Sequence, residues 1–222
     1  MIVAEQKPLA EIIEMVSPYG KLLILGCGTC VKTCFAGGEE EVAILASLLR
    51  LAFKKKGIDI EISELTIERQ CENEFIQEAS LAVSRNDAVL SLACGAGVQD
   101  VARRFTGKPV LPGLNTTFVG VMESRGLFTE ECLCCGDCRL GLTGGVCVLA
   151  RCAKKLSNGP CGGSRNGKCE VNPDSDCAWQ LVIDRMKNLG TLDKLREYTP
   201  PRDWRSSNSG GPRKILREDM VI

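Results

Sequence analysis

Apolar positions first recur at helical spacing in residues 6–17 (QKPLAEIIEMVS), which predicts a short helix. Residues 21–25 (KLLIL) are continuously apolar and run into Gly26, the pattern of a strand buried on both faces. Residues 39–55 place Val42, Leu45, Ala46, Leu49 and Phe53 on one helical face, and the acidic start and basic end of this stretch suit the helix dipole. Gly57 is its stop signal. Residues 58–65 (IDIEISEL) alternate as a strand does, 72–84 read as a helix, and 88–93 (AVLSLA) as a strand buried on both sides. A helix over 98–105 and a strand over 108–111 complete the series. Strand and helix thus alternate through residues 18–125, which predicts an α/β fold built on an open, doubly wound parallel sheet.

After Leu127 the periodicity stops, and it returns only at 178–188, where Trp179, Val182, Ile183 and Met186 share a helical face and Gly190 follows as a cap. The residues after Thr199 (PPRDWRSSNSGGPRKILREDMVI) are too polar to pack alone and read as an arm lying on this protein or on a partner. The expected organisation is an α/β domain of flavodoxin- or Rossmann-like type over 1–126, a mostly irregular cysteine-rich module over 127–190 and an extended C-terminal arm over 191–222.

Composition changes this picture at one point, the thiols. The chain of 222 residues holds 14 cysteines and no histidine. Nine cysteines fall in 131–177, and the Gly-rich stretch 26–34 holds three more, Cys27, Cys30 and Cys34. A segment with so much Gly and so few large apolar residues cannot close its loops by core packing, which leaves disulfides, zinc or iron–sulfur clusters. The N-terminus has no charged-then-apolar leader, and no apolar run approaches the ~20 residues that a spanning helix needs, so a cytoplasmic protein without a membrane span is expected. Clustered thiols in a reducing compartment are metal ligands or catalytic groups more often than structural disulfides. Without histidine, any metal site must be all-thiolate or thiolate plus oxygen, and no histidine base is available for catalysis. The formal net charge of zero gives no footprint for nucleic acid or an anionic membrane.

Open parallel sheets place ligands beyond the carboxyl ends of their strands. Cys27, Cys30 and Cys34 follow the first predicted strand with Cys-x2-Cys-x3-Cys spacing, and Cys94 follows the third. In the common doubly wound order these strands are neighbours, so four thiolates would converge as a [4Fe–4S] cluster requires. Cys71, beyond the second strand, could replace Cys94, and both could instead be small buried apolar groups. The Gly-x-Gly at Gly26 and Gly28 is no dinucleotide fingerprint, because the third Gly and the acidic partner are missing.

In the second module Cys132, Cys135 and Cys138 have ferredoxin-like Cys-x2-Cys-x2-Cys spacing, but Leu142 stands where the usual fourth cysteine belongs. A fourth ligand must come from Cys147, Cys152, Cys161, Cys169 or Cys177. Nine cysteines allow two four-thiolate sites, with Cys134 as the spare. Structural zinc with four thiolates is the alternative occupant. The glycines of 158–170 (NGPCGGSRNGKCE) suit tight turns, and their N–H groups could bond cluster sulfurs.

GCGTCVKTCFAGGE, ERQCE, LACGAGVQ, the CLCCGDC run and GPCGGSRNGKCE followed by DCAW resemble the cysteine-rich C-terminal domain of methylenetetrahydrofolate reductases, from about Leu22 to Leu189. That resemblance implies a small subunit in a heteromeric cytoplasmic complex of anaerobic one-carbon metabolism. Its partner would be the flavin-bearing barrel subunit, MetF, which reduces methylenetetrahydrofolate. It further implies that this chain binds iron–sulfur or zinc and relays electrons from a donor subunit or ferredoxin-like protein to that flavin. No barrel is encoded here, so the chain alone should lack flavin and folate sites. Two rivals remain: a zinc–thiolate scaffold that only stabilises the flavin subunit, and a zinc–thiolate methyl-transfer protein.

Overall fold

The structure, a computed structural model, describes residues 1–220. The chain divides into two compact units, Met1–Thr129 and Glu130–Ile222.

The first unit is a mixed α/β body around a four-stranded sheet. β2 (Lys21–Cys27) lies at its centre, with β3 (Glu61–Ile67) on one side, and β4 (Ala88–Leu92) and then β5 (Val110–Pro112) on the other. The pairings β2–β3, β2–β4 and β4–β5 are all parallel, so the expected sheet and its central neighbours are as read from the sequence. Both faces of the central strands are buried, which is why they read as continuous apolar runs. Leu22 and Ile24 face a cluster with Val42, Leu45, Leu49 and Phe53 of α3 (Glu39–Lys56), while Leu23 and Leu25 face one with Ile76, Val83 and Val101. Those last three belong to α4 (Asn73–Glu78), α5 (Ser80–Arg85) and α6 (Gly95–Arg104). The acidic first turn and basic last turn of α3 are present, and Gly57 ends it at φ +68°.

Three readings need correction. The helix expected over 72–84 is two short helices, with Ala79 joining α4 to α5. The N-terminal helix α1 spans only Leu9–Val16, because residues 2–6 form a strand, β1 (Ile2–Gln6). β1 pairs antiparallel with β6 (Leu114–Ser124), and β7 (Leu127–Cys132) completes a second, three-stranded sheet. Regular structure therefore continues past Leu127. These strands were missed because their faces are only partly buried, so their apolar alternation is weak.

The second unit has little regular structure. Its core is Val148, Trp179, Val182 and Met186, supplied by α7 (Val148–Arg151) and α8 (Ala178–Asn188). Residues 192–196, 204–206, 208–210 and 218–220 are short 3-10 turns. Among the described residues no helix is long and apolar enough to cross a membrane.

Candidate thiolate sites

All fourteen cysteines are free thiols. In the first unit the sheet order decides which of them can meet. Cys27 ends β2, Cys30 opens the one-turn helix α2 (Cys30–Thr33), and Cys94 is the residue before α6. Cys71 lies four residues beyond the end of β3. Because β3, β2 and β4 are parallel neighbours, all four residues sit at one carboxyl edge.

Local bonds hold this edge in place. Gly28 N–H donates to the carbonyls of Ile67 (2.9 Å) and Glu68 (3.1 Å), and the Cys27 thiol lies 3.8 Å from the same Glu68 oxygen. Gln70 is fully buried. Its Nε2 donates to Leu25 O at 2.7 Å, and its Oε1 accepts from Ser91 Oγ at 2.6 Å. One amide thus ties the loop carrying Cys71 to both β2 and β4. Sequence reasoning missed Gln70 and Ser91; the signal was a lone serine inside the apolar run AVLSLA. Two glycines permit the close approach. A Cβ on Gly37 would stand 2.0 Å from Leu92 O, and one on Gly97 would stand 2.9 Å from Gln70 Cβ.

Partial burial raises the pKa of the Cys71 thiol, although the residue as a whole is exposed, and the charges of Cys94, Cys27 and Cys30 raise it further. Cys71 is therefore within electrostatic reach of the other three. Cys34 has a different environment. It is buried in the apolar cluster, its thiol donates to Ala4 O (3.5 Å) and Val31 O (3.6 Å), and burial pushes its pKa up.

In the second unit the thiols divide along the chain. Cys132, Cys134, Cys135, Cys138 and Cys147 line a cavity of about 980 Å³ together with Trp179, Tyr198 and Arg202. The 132–138 loop is tightly turned: Cys134 has φ +51° and Gly136 φ +81°, and Cys134 N–H donates to Cys132 Sγ at 3.3 Å. Burial first, and then the charge of Cys132, raises the Cys134 thiol.

Residues of the predicted arm close over this loop. Arg202 Nη1 donates to Cys135 Sγ at 3.3 Å and to Asp137 O, Ser206 Oγ donates to Cys135 O at 3.1 Å, and Arg213 Nη1 donates to Cys134 O at 2.6 Å. Arg139 donates from Nε to the Asp137 carboxylate (2.9 Å) and from Nη1 to Pro200 O (3.0 Å). A Cβ on Gly136 would stand 2.2 Å from Ser206 O.

Cys152, Cys161, Cys169 and Cys177 belong to the following stretch. Cys161 Sγ accepts from Gly163 N–H at 3.4 Å. Backbone N–H groups of Asn172, Val171 and Ala153 lower the pKa of Cys169. Cys177 N–H bonds Gly167 O at 2.7 Å, Cys169 N–H bonds Ser175 O at 3.0 Å, and Lys154 pairs with Glu170. Sulfurs that accept backbone N–H groups are stabilised as thiolates, the form in which cysteine binds metal.

Among the described residues no three such side chains stand close enough together to hold a metal ion as placed. The donor chemistry nonetheless fits a thiolate-bound group: sulfurs with backbone donors, a roomy cavity lined by five cysteines, and a buried Arg202 Nε with no hydrogen-bond partner beside it.

These features define a thiol-rich protein with a parallel-sheet α/β unit. Residues 111–205 match the family model described as methylene-tetrahydrofolate reductase C terminal, and over that stretch the chain is similar to this family. The match takes in the 132–177 cysteines, while the motifs around Cys27, Cys71 and Cys94 lie outside it. No curated protein and no solved structure matches the chain.

Proposed function

We propose that this chain is the small, cysteine-rich, electron-transferring subunit of a methylenetetrahydrofolate reductase complex, partnered by a flavin-bearing subunit. The observation that carries the reading is the thiol edge of the parallel sheet, where Cys27, Cys30, Cys71 and Cys94 gather at the ends of three neighbouring strands. The family match over 111–205 supplies the reductase context. In this reading those four residues hold one [4Fe–4S] cluster, and Cys34 stays a core thiol. Cys132, Cys135 and Cys138, with Cys147, hold a second. A cluster of this kind stores and releases single electrons at low potential. The chain's own residues supply the thiolates, the N–H donors that stabilise sulfur charge, and the packing that excludes water from Cys27.

Zinc is the second reading, for Cys152, Cys161, Cys169 and Cys177 only. The N–H donors to Cys161 and Cys169 suit a closed structural tetrahedron. A donor protein of ferredoxin type and a cytoplasmic location complete the proposal.

Anaerobic purification followed by iron, sulfide and zinc analysis tests it. Cys71→Ser should remove about one cluster's iron per chain, since four thiolates are needed, and Cys34→Ser should remove none. The reverse pattern would return Cys34 to the ligand set, and iron-free wild-type protein would leave only the scaffold reading. In the complex, Cys138→Ala should abolish donor-linked flavin reduction while dye-linked folate turnover survives.

A further inference from the structure

We infer that Arg202 is a positioning residue for the group bound by the 132–138 loop: it anchors Cys135 as a ligand and sets that group's electron affinity. The inference rests on the reading of this loop as a cluster site.

The Arg202 side chain is 6% exposed, an unusual burial for a guanidinium. Its Nη1 donates to Cys135 Sγ and Asp137 O, its Cζ lies 5.6 Å from the Trp204 ring centroid, and the whole residue lines the cavity that Cys132, Cys134 and Cys138 also line. Its Nε is buried with no partner. A buried N–H on a charged group is costly to leave unpaired, so a sulfur-bearing group held in the cavity would supply the acceptor it lacks.

The local charge balance points the same way. The Asp137 carboxylate stands 3.5 Å from Arg202 Nη1 and also accepts from Arg139 Nε. Two guanidiniums share one carboxylate, which leaves a net positive charge beside Cys135. The thiolates and sulfide of a bound cluster would supply the matching negative charge. Positive charge and N–H donors stabilise a cluster's reduced form more than its oxidised form, because reduction adds an electron. Arg202 therefore raises the potential. Nη1 alone makes both bonds, so a lysine ammonium keeps the charge and can still hold Cys135, but it lacks the Nε N–H.

The test uses the full chain, reconstituted anaerobically with ferrous iron and sulfide, as wild type, Arg202→Gln and Arg202→Lys. Iron and sulfide are counted, and each reduced-state EPR signal is followed through a redox titration. The expected result is one signal moved to lower potential in Arg202→Gln, a smaller move in Arg202→Lys, and the other signal unmoved. If Arg202→Gln holds less iron, Arg202→Lys decides: full iron with a lowered potential supports the inference, and equal iron loss from both overturns it. Full iron with unchanged potentials overturns this inference alone, as does an equal shift of every signal. A wild type without iron and sulfide overturns the cluster reading and this inference with it.

Discussion

The two units present thiols by opposite means. In Met1–Thr129 the thiol edge is a by-product of a buried parallel sheet, whose registers put Cys27 opposite Ile67 and Gly26 opposite Leu92. The apolar clusters on both faces hold that sheet whatever occupies the edge. In Glu130–Ile222 the buried core is little more than Val148, Trp179, Val182 and Met186. The cysteine loops there depend on left-handed turns and on arginines that reach back from residues 202 and 213. Burial of apolar area is the larger and less conditional stabiliser. On the proposed reading the first unit should therefore tolerate loss of a bound metal group, and the second should not.

Metal removal is the strongest way to break that contrast. With metals stripped anaerobically by a chelator, residues 130–220 should become protease-sensitive, since binding energy of a thiolate site is folding energy. Amide protons of β2 and β4 should stay protected. Both tryptophans, Trp179 and Trp204, lie in the second unit, so their fluorescence reports that unit alone. Loss of protection in both units together would show that the first also depends on its metal.

Paired glycine substitutions sharpen the comparison. Gly37→Ala forces a Cβ against Leu92 O and should destabilise the first unit by about 1–3 kcal/mol, measured by amide exchange of β4. Gly136→Ala meets Ser206 O and is also strained by its positive φ. It should free residues 199–213 to protease while leaving that exchange unchanged.

Ser91→Ala acts more locally. It strips the Gln70 Oε1 of its partner in a fully buried site, at a cost of about 1–3 kcal/mol. Iron bound by the first unit should fall with it, because Gln70 positions the Cys71 loop. Full iron in this variant would mean that the loop is held by something else.

The smallest effects come from arginines. Arg50→Ala removes a half-exposed pair with Glu64 and should change stability by less than about 1 kcal/mol. Arg139→Ala breaks bonds to Asp137 and Pro200 and should loosen the 132–139 loop visibly in proteolysis. Equal sensitivity of the two units to these changes would erase the distinction drawn between them.

Much of the first unit was readable without coordinates. Val42, Leu45, Leu49 and Phe53 at helical spacing and the runs KLLIL and AVLSLA can be satisfied only by a buried face and by strands covered on both sides. β1, β6 and β7 were not readable, because strands with mixed burial carry little periodicity.

The sequence by itself determined which residues carry the chemistry: fourteen thiols, no histidine and the spacings within each cluster, together with the strand–helix alternation that puts some thiols at strand ends. Only the tertiary structure decided which thiols become neighbours. Spacing grouped Cys34 with Cys27 and Cys30, and the fold keeps it in one buried cluster with Cys27 while its thiol bonds the Ala4 and Val31 carbonyls. Cys71, 41 residues beyond Cys30 by number, reaches the same sheet edge because β3 pairs with β2 and a buried Gln70 ties its loop to β2 and β4. Likewise nothing in the arm's composition says that Arg202 sits on Cys135, 67 positions away. Local pattern records the φ/ψ and burial preferences of neighbours in the chain; contacts across such separations are set by how the elements pack.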